Sequence, residues 1–143
     1  MNSAQDLEAY LKIVYQNLTV LHHNMTGHGF YVIHPMFGEF YDKVGEINDA
    51  LIEREMLNNV TEPSIKDAVL AYNDAVESVE PIDCNDALNK ANDMFTTIIT
   101  KMMIVRGEAQ PDLQSMIDGW VSEINVILYK IKMFNGSHGD DEE

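Results

Sequence analysis

Residues His22–Glu53 read HHNMTGHGFYVIHPMFGEFYDKVGEINDALIE, a stretch that holds four of the chain's five histidines. His22, His28 and His34 recur at intervals of six, and Asp49 and Glu53 stand one helical turn apart. Imidazoles and carboxylates form a mixed nitrogen and oxygen donor set of the kind that holds divalent transition metals. In the same stretch Phe37, Phe40, Tyr41, Val44, Ile47 and Leu51 recur at three- and four-residue steps, which predicts a helix from Pro35 to about Leu57. Pro35 is suited to the first turn of that helix, with His34 at its cap. Thr26–Ile33, with Gly27 and Gly29, reads as a connecting loop.

Helical geometry then restricts how these groups can act together. On one continuous helix, His34 and Asp49 lie roughly 22 Å apart at 1.5 Å per residue, whereas a ligand bond to a metal is only about 2 Å long. The two ends cannot share an ion within one chain. Either another helix completes each half, or a second copy of the chain does.

Outward from this stretch the pattern stays helical. Leu7, Tyr10, Leu11, Val14, Leu18, Leu21 and Met25 predict a helix over residues 4–25, and His22 shares its apolar stripe, so it points inward or towards a partner. On the second helix, His34, Gly38, Gly45, Asp49, Ile52, Glu53 and Met56 form a strip beside the core face. Each of its two glycines costs about 1 kcal/mol relative to alanine, which implies close approach of another helix or a ligand.

Asn58–Pro63 interrupts the pattern. A shorter helix is predicted over Ser64–Val79, opened by a Ser64–Asp67 capping box and bearing a narrow stripe of Ile65, Ala68, Val69, Tyr72 and Val76. After a turn at Pro81, a third long helix is expected from Asn85 to Arg106, closed by Gly107. Pro111 opens a last helix to Phe134, stopped by Asn135 and Gly136. Residues 1–136 thus form one domain, and 137–143 read as an acidic, disordered tail. Four long helices with a long connection between the second and third describe an all-α, ferritin-like four-helix bundle carrying a short extra helix in that connection. No strand signal competes.

Composition narrows the partners. Nine Lys plus Arg against twenty-four Asp plus Glu give a formal charge of −15. Such a surface lacks the clustered cations that displace counterions from a duplex, which argues against direct DNA binding. No tract reads as a membrane span or signal peptide, and a single cysteine, Cys84, excludes an internal disulfide framework. A reducing, cytoplasmic setting is expected.

The residues from His22 to Arg54 resemble the miniature ferritins of the Dps family, the DNA-binding proteins from starved cells. That family's signature has a histidine followed by an aromatic residue and asparagine, then a Gly-x-x-Phe loop. A second histidine lies twelve residues after the first, and an Asp-x-x-x-Glu-Arg step follows. His22, Asn24, Gly27, Phe30, His34, Asp49, Glu53 and Arg54 match it in order and spacing. Beyond residue 60 the likeness is one of organisation.

The resemblance implies a hollow homo-oligomeric shell of twelve subunits that oxidises Fe(II), preferably with hydrogen peroxide, at sites shared across two-fold interfaces. His22 and His34 would come from one chain, and Asp49 and Glu53 from its partner. Iron is the implied metal, with Zn(II), Mn(II) or Co(II) able to compete for such donors. Glu108 and Asp112 are candidates for an ion-entry pore, against the plainer reading of solvated helix-end acids.

Two positions depart from the pattern. Gly38 stands where the family usually has an aspartate ligand, which weakens a second iron position, with Glu39 and Asp42 as the nearest substitutes. His23 replaces the expected aromatic residue. The competing reading is a degenerate ferritin-like shell with a structural or protein-interaction role. Chromosome compaction would need a basic tail, and the C-terminal GDDEE has the opposite sign.

Overall fold

In the computed structural model, which describes residues 1–142, with side chains through Asn135, four long helices and a short one form the bundle. They are α1 (Ser3–Asn24), α2 (Phe30–Met56), α3 (Ile65–Ala71), α4 (Cys84–Glu108) and α5 (Pro111–Glu142). A capping box starts α1: the Asn2 side chain accepts from the Gln5 N–H at 2.8 Å, and the Gln5 side chain accepts from the Asn2 N–H at 3.0 Å. The Ser64–Asp67 box predicted for α3 forms as well. Pro111 occupies the first position of α5, as expected. The tail expected over 137–143 lies outside the residues whose side chains are described.

The core follows the predicted stripes of α1 and α2, and apolar faces of α4 and α5 complete it. Leu7, Leu11, Val14 and Leu18 from α1, Phe37, Phe40, Val44, Ile47 and Leu51 from α2, Leu88, Phe95, Ile98 and Met102 from α4, and Ile117, Ile124 and Ile131 from α5 are all buried. Phe95 meets Phe40 edge to face with ring centroids 5.3 Å apart.

Two short extended segments were not expected. β1 (Met25–Thr26) pairs in parallel with β2 (Ile82–Asp83). This pairing brings the start of α4 back to the end of the bundle where α2 starts, so α2 and α4 run parallel and the connection spans the bundle. The predicted ferritin-like arrangement requires that geometry.

Helix ends differ from the sequence reading, and α5 runs past the expected stop at Phe134 to Glu142. α2 begins at Phe30, one turn before the predicted start, with Gly29 as its N-cap at φ +88°. Only glycine adopts that left-handed conformation freely, and no side-chain cap announces the helix. Pro35 therefore lies inside α2; the Tyr31 carbonyl it leaves unbonded belongs to an exposed residue.

α3 ends at Ala71 and not near Val79, and a single 3-10 turn follows over Asn73–Ala75. Asn17 of α1 supplies the reason. Its buried amide donates to the Ala75 carbonyl at 2.8 Å and accepts from the Glu77 N–H at 2.9 Å, claiming backbone groups that a longer helix would need. Of the predicted α3 stripe, Ala68 is buried and Tyr72 half-buried, while Ile65, Val69 and Val76 are exposed.

α4 passes through Gly107 to Glu108. The Arg106 carbonyl accepts from Gln114 of α5 at 3.1 Å, so no glycine cap is required to satisfy it.

Candidate metal centre

α1 and α2 together position the histidines. His22 in the last turn of α1 and His34 in the second turn of α2 stack nearly face to face, with centroids 3.8 Å apart and planes inclined by 20°. Phe30 packs on His34 at 4.7 Å from within α2. The early start of α2 is what supplies Phe30 and sets His34 on a helix instead of at its cap.

His22 is half-buried, and its Nδ1 is buried without a hydrogen-bond partner among the described residues. Burial first, and then the neighbouring His34, holds its pKa below the usual imidazole value. The ring is thus neutral at neutral pH and keeps a lone pair for an electrophile. A paired imidazole stack with an unsatisfied inner nitrogen is chemically suited to two nitrogen ligands of a transition metal.

Asp49 and Glu53 lie on the same continuous helix, far along it, and both are exposed. Neither takes part in an ion pair among the described residues. Asp49 borders a groove of about 420 Å³ between α1 and α2, lined also by Lys12, Tyr15, Gly45 and Ile52. Among the described residues, no three His, Cys, Asp or Glu side chains gather closely enough to hold one ion. The helix is continuous, so the separation inferred from spacing stands and each half remains open.

The two glycines of the α2 strip behave differently. A Cβ at Gly45 would lie 3.1 Å from Tyr15 Cε2, so glycine there admits α1. A Cβ at Gly38 would meet only His22 Cε1, at 3.9 Å, an ordinary contact. A Cβ therefore fits at 38, beside His22. Of the two proposed substitutes, Glu39 lines the groove between α2 and α5 with Lys43 and Glu123, while Asp42 is exposed one turn beyond Gly38. His23 is exposed and meets His22 edge to face at 5.4 Å; His28 is exposed in the turn before α2.

Arg54 does not join either half. Its Nη2 donates to Asp112 Oδ1 at 3.0 Å and its Nε to Asp112 Oδ2, tying the end of α2 to the start of α5. Asp112 is held below the usual carboxylate range chiefly by that hydrogen bond. Glu108 accepts from Ser3 Oγ. Both pore candidates are thus engaged within the chain.

Tyr41 and Tyr15 are additions that the sequence reading missed as part of this region. Tyr41 stands edge to face on His22 at 5.5 Å, and Tyr15 on Tyr41 at 5.6 Å. Tyr41 follows His34 by seven residues and Tyr15 precedes His22 by seven. Seven residues is close to two helical turns, so each tyrosine shares its histidine's face; that spacing was the available signal.

No family model matches the sequence, and no curated protein matches it. Solved structures do match the fold. A Dps protein from Bacillus brevis superposes with a TM-score of 0.84 at 16% identity, covering 92% of this chain and 91% of its own. A Dps protein from Vibrio cholerae O1, described as a member of a broad superfamily of ferritin-like diiron-carboxylate proteins, gives 0.84 at 20% identity, with 93% and 86% covered. Antigen TpF1 from Treponema pallidum gives 0.78 at 23% identity, with 95% and 88% covered. The chain therefore has the Dps-like, ferritin-type fold, with the short helix in the long connection.

Proposed function

We propose that this chain is a miniature ferritin that oxidises Fe(II), preferably with hydrogen peroxide, and stores the Fe(III) product inside a homo-oligomeric shell. The observation that carries this reading is the stack of His22, on α1, with His34, on the helix whose other end presents Asp49 and Glu53. An antiparallel two-fold partner would set His22 and His34 of one protomer against Asp49 and Glu53 of the other, giving two equivalent sites per dimer.

Iron is substrate and cargo in this scheme. His22 and His34 bind Fe(II) through nitrogen, and the partner's two carboxylates offset its charge. Two ferrous ions each give up one electron to one peroxide, which takes two protons and leaves as two waters. The ferric product hydrolyses and collects against an acidic wall, so storage and peroxide removal are one process. Zn(II) and Mn(II) compete for the same donors. The shell is a cytoplasmic dodecamer, and the charge of −15 sets it against direct DNA binding.

Gly38 favours one alternative, a degenerate ferritin-like shell without efficient ferroxidase activity and with a structural or protein-interaction role. Anaerobic Fe(II) titration of metal-free protein, followed by peroxide and recording of ferric-oxo absorbance, separates the two. Saturable binding with fast oxidation, lost in His34→Ala and in Glu53→Ala, supports the ferroxidase. A rate equal to the protein-free blank sinks it and leaves the shell.

A further inference from the structure

Three polar side chains that the candidate site does not use are buried where α1 meets α2. Glu8 is fully buried, Glu55 is 6% exposed and Asn48 8% exposed. Both Glu8 carboxylate oxygens and Asn48 Oδ1 are buried with no hydrogen-bond partner among the described residues. Asn48 Nδ2 donates to the backbone carbonyl of Glu8 at 3.4 Å, which sets the amide beside the Glu8 residue.

A carboxylate anion in such a position has lost its water and gained no donor, so burial acts strongly against the charge. A protonated carboxyl is neutral, and its O–H is a donor in a seam where Asn48 Oδ1 lacks one. The charged groups acting on Glu8 among the described residues are Glu55 from α2, Glu62 from the loop beyond it, and Lys12 one turn along α1. The two acids oppose ionisation. Lys12 favours it, but its ammonium is already paired with Glu62 at 2.8 Å.

We propose that Glu8 is a proton-binding position inside the bundle: folding places one proton on its carboxyl, and the α1–α2 seam weakens when that proton leaves. The proposal stands whether or not the chain handles iron. Burial first, then Glu55 and Glu62, raises the carboxyl from 4.5 to about 7. Because the folded-state value is raised, the contribution is fully present below the unfolded-state value and is lost as pH rises through about 7. The seam adjoins the groove that Asn48 and Asp49 line, so the same proton tightens the packing behind the carboxylate end of α2.

The test compares the full-length protein with Glu8→Gln by denaturant unfolding at pH 5 and pH 8, at matched concentration and oligomeric state. Glutamine mimics the protonated carboxyl. The two proteins are expected to be similar at pH 5, with the variant gaining on the wild type by on the order of 50-fold in unfolding equilibrium constant by pH 8. An unchanged stability difference between the two pH values overturns the proposal. Should the glutamine variant fail to fold, Glu8→Met takes its place. Carboxyl carbon NMR of the wild type gives an independent reading: a Glu8 midpoint near neutrality supports the proposal, and one in the ordinary carboxylate range refutes it.

Discussion

At the Phe30 end of α2, His22 and His34 stack 3.8 Å apart under Phe30 and Tyr41. At the Met56 end, Asp49 and Glu53 stand in solvent without an ion pair among the described residues. The histidine half is assembled by two helices of one chain and held rigid by aromatic packing. The carboxylate half is an exposed helix face. A single chain therefore brings the two imidazoles together and leaves the two carboxylates of α2 apart from them.

The strongest way to break this contrast is to separate the halves onto different chains. His34→Ala and Glu53→Ala should each reduce peroxide-driven Fe(II) oxidation to the blank rate. If the halves meet across a two-fold interface, random co-assembly of the two variants regenerates one intact site in each mixed dimer, restoring about a quarter of all sites. Stopped-flow oxidation of the co-expressed mixture reads this directly; recovery of nothing would place both halves of each site elsewhere.

Core support under the histidine end comes next in size. Phe37 is fully buried one turn from His34, and Phe37→Ala should cost about 3–5 kcal/mol in denaturant unfolding. A loss below 1 kcal/mol would mean that the site rests on other packing.

The two α2 glycines sharpen the comparison through the sign of their response. Gly45→Ala pushes a methyl into Tyr15 and should destabilise by about 1–3 kcal/mol. Gly38→Ala meets open contact distance at His22 and should stabilise the helix by up to about 1 kcal/mol. Thermal unfolding of both variants checks the pair of signs. At the same position, Gly38→Asp would aim a carboxylate towards the histidines, and anaerobic titration should then show tighter or additional Fe(II) binding. The smallest effect expected is at the start of α1, where Asn2→Ala removes one capping hydrogen bond and should cost about 1 kcal/mol.

Much of this was legible in the residues. The stripes of α1, α2, α4 and α5 appear as three- and four-residue apolar repeats, and the buried sets match them closely. The spacing of His34 and Asp49 alone required two separate half-sites. What escaped was decided by contacts between distant residues. Gly29 starts α2 without a capping side chain, so the residue pattern marks the helix one turn short. Asn17 holds Ala75 and Glu77 across the bundle, so the helix after Ser64 ends before its apolar pattern does. Gly107 looks like a terminator, yet Gln114 satisfies the carbonyl before it and α4 continues.

Periodicity is a local property of a helix, and it is why the sequence by itself determined an all-helical bundle, its inward faces and the positions of the histidines and carboxylates along α2. Stacking of His22 on His34, the open contact at Gly38 against the crowded one at Gly45, and the burial of Glu8 without a partner belong to the tertiary structure. Each depends on how close α1 comes to α2, a distance set by the packing of the whole core and written in no single stretch of chain.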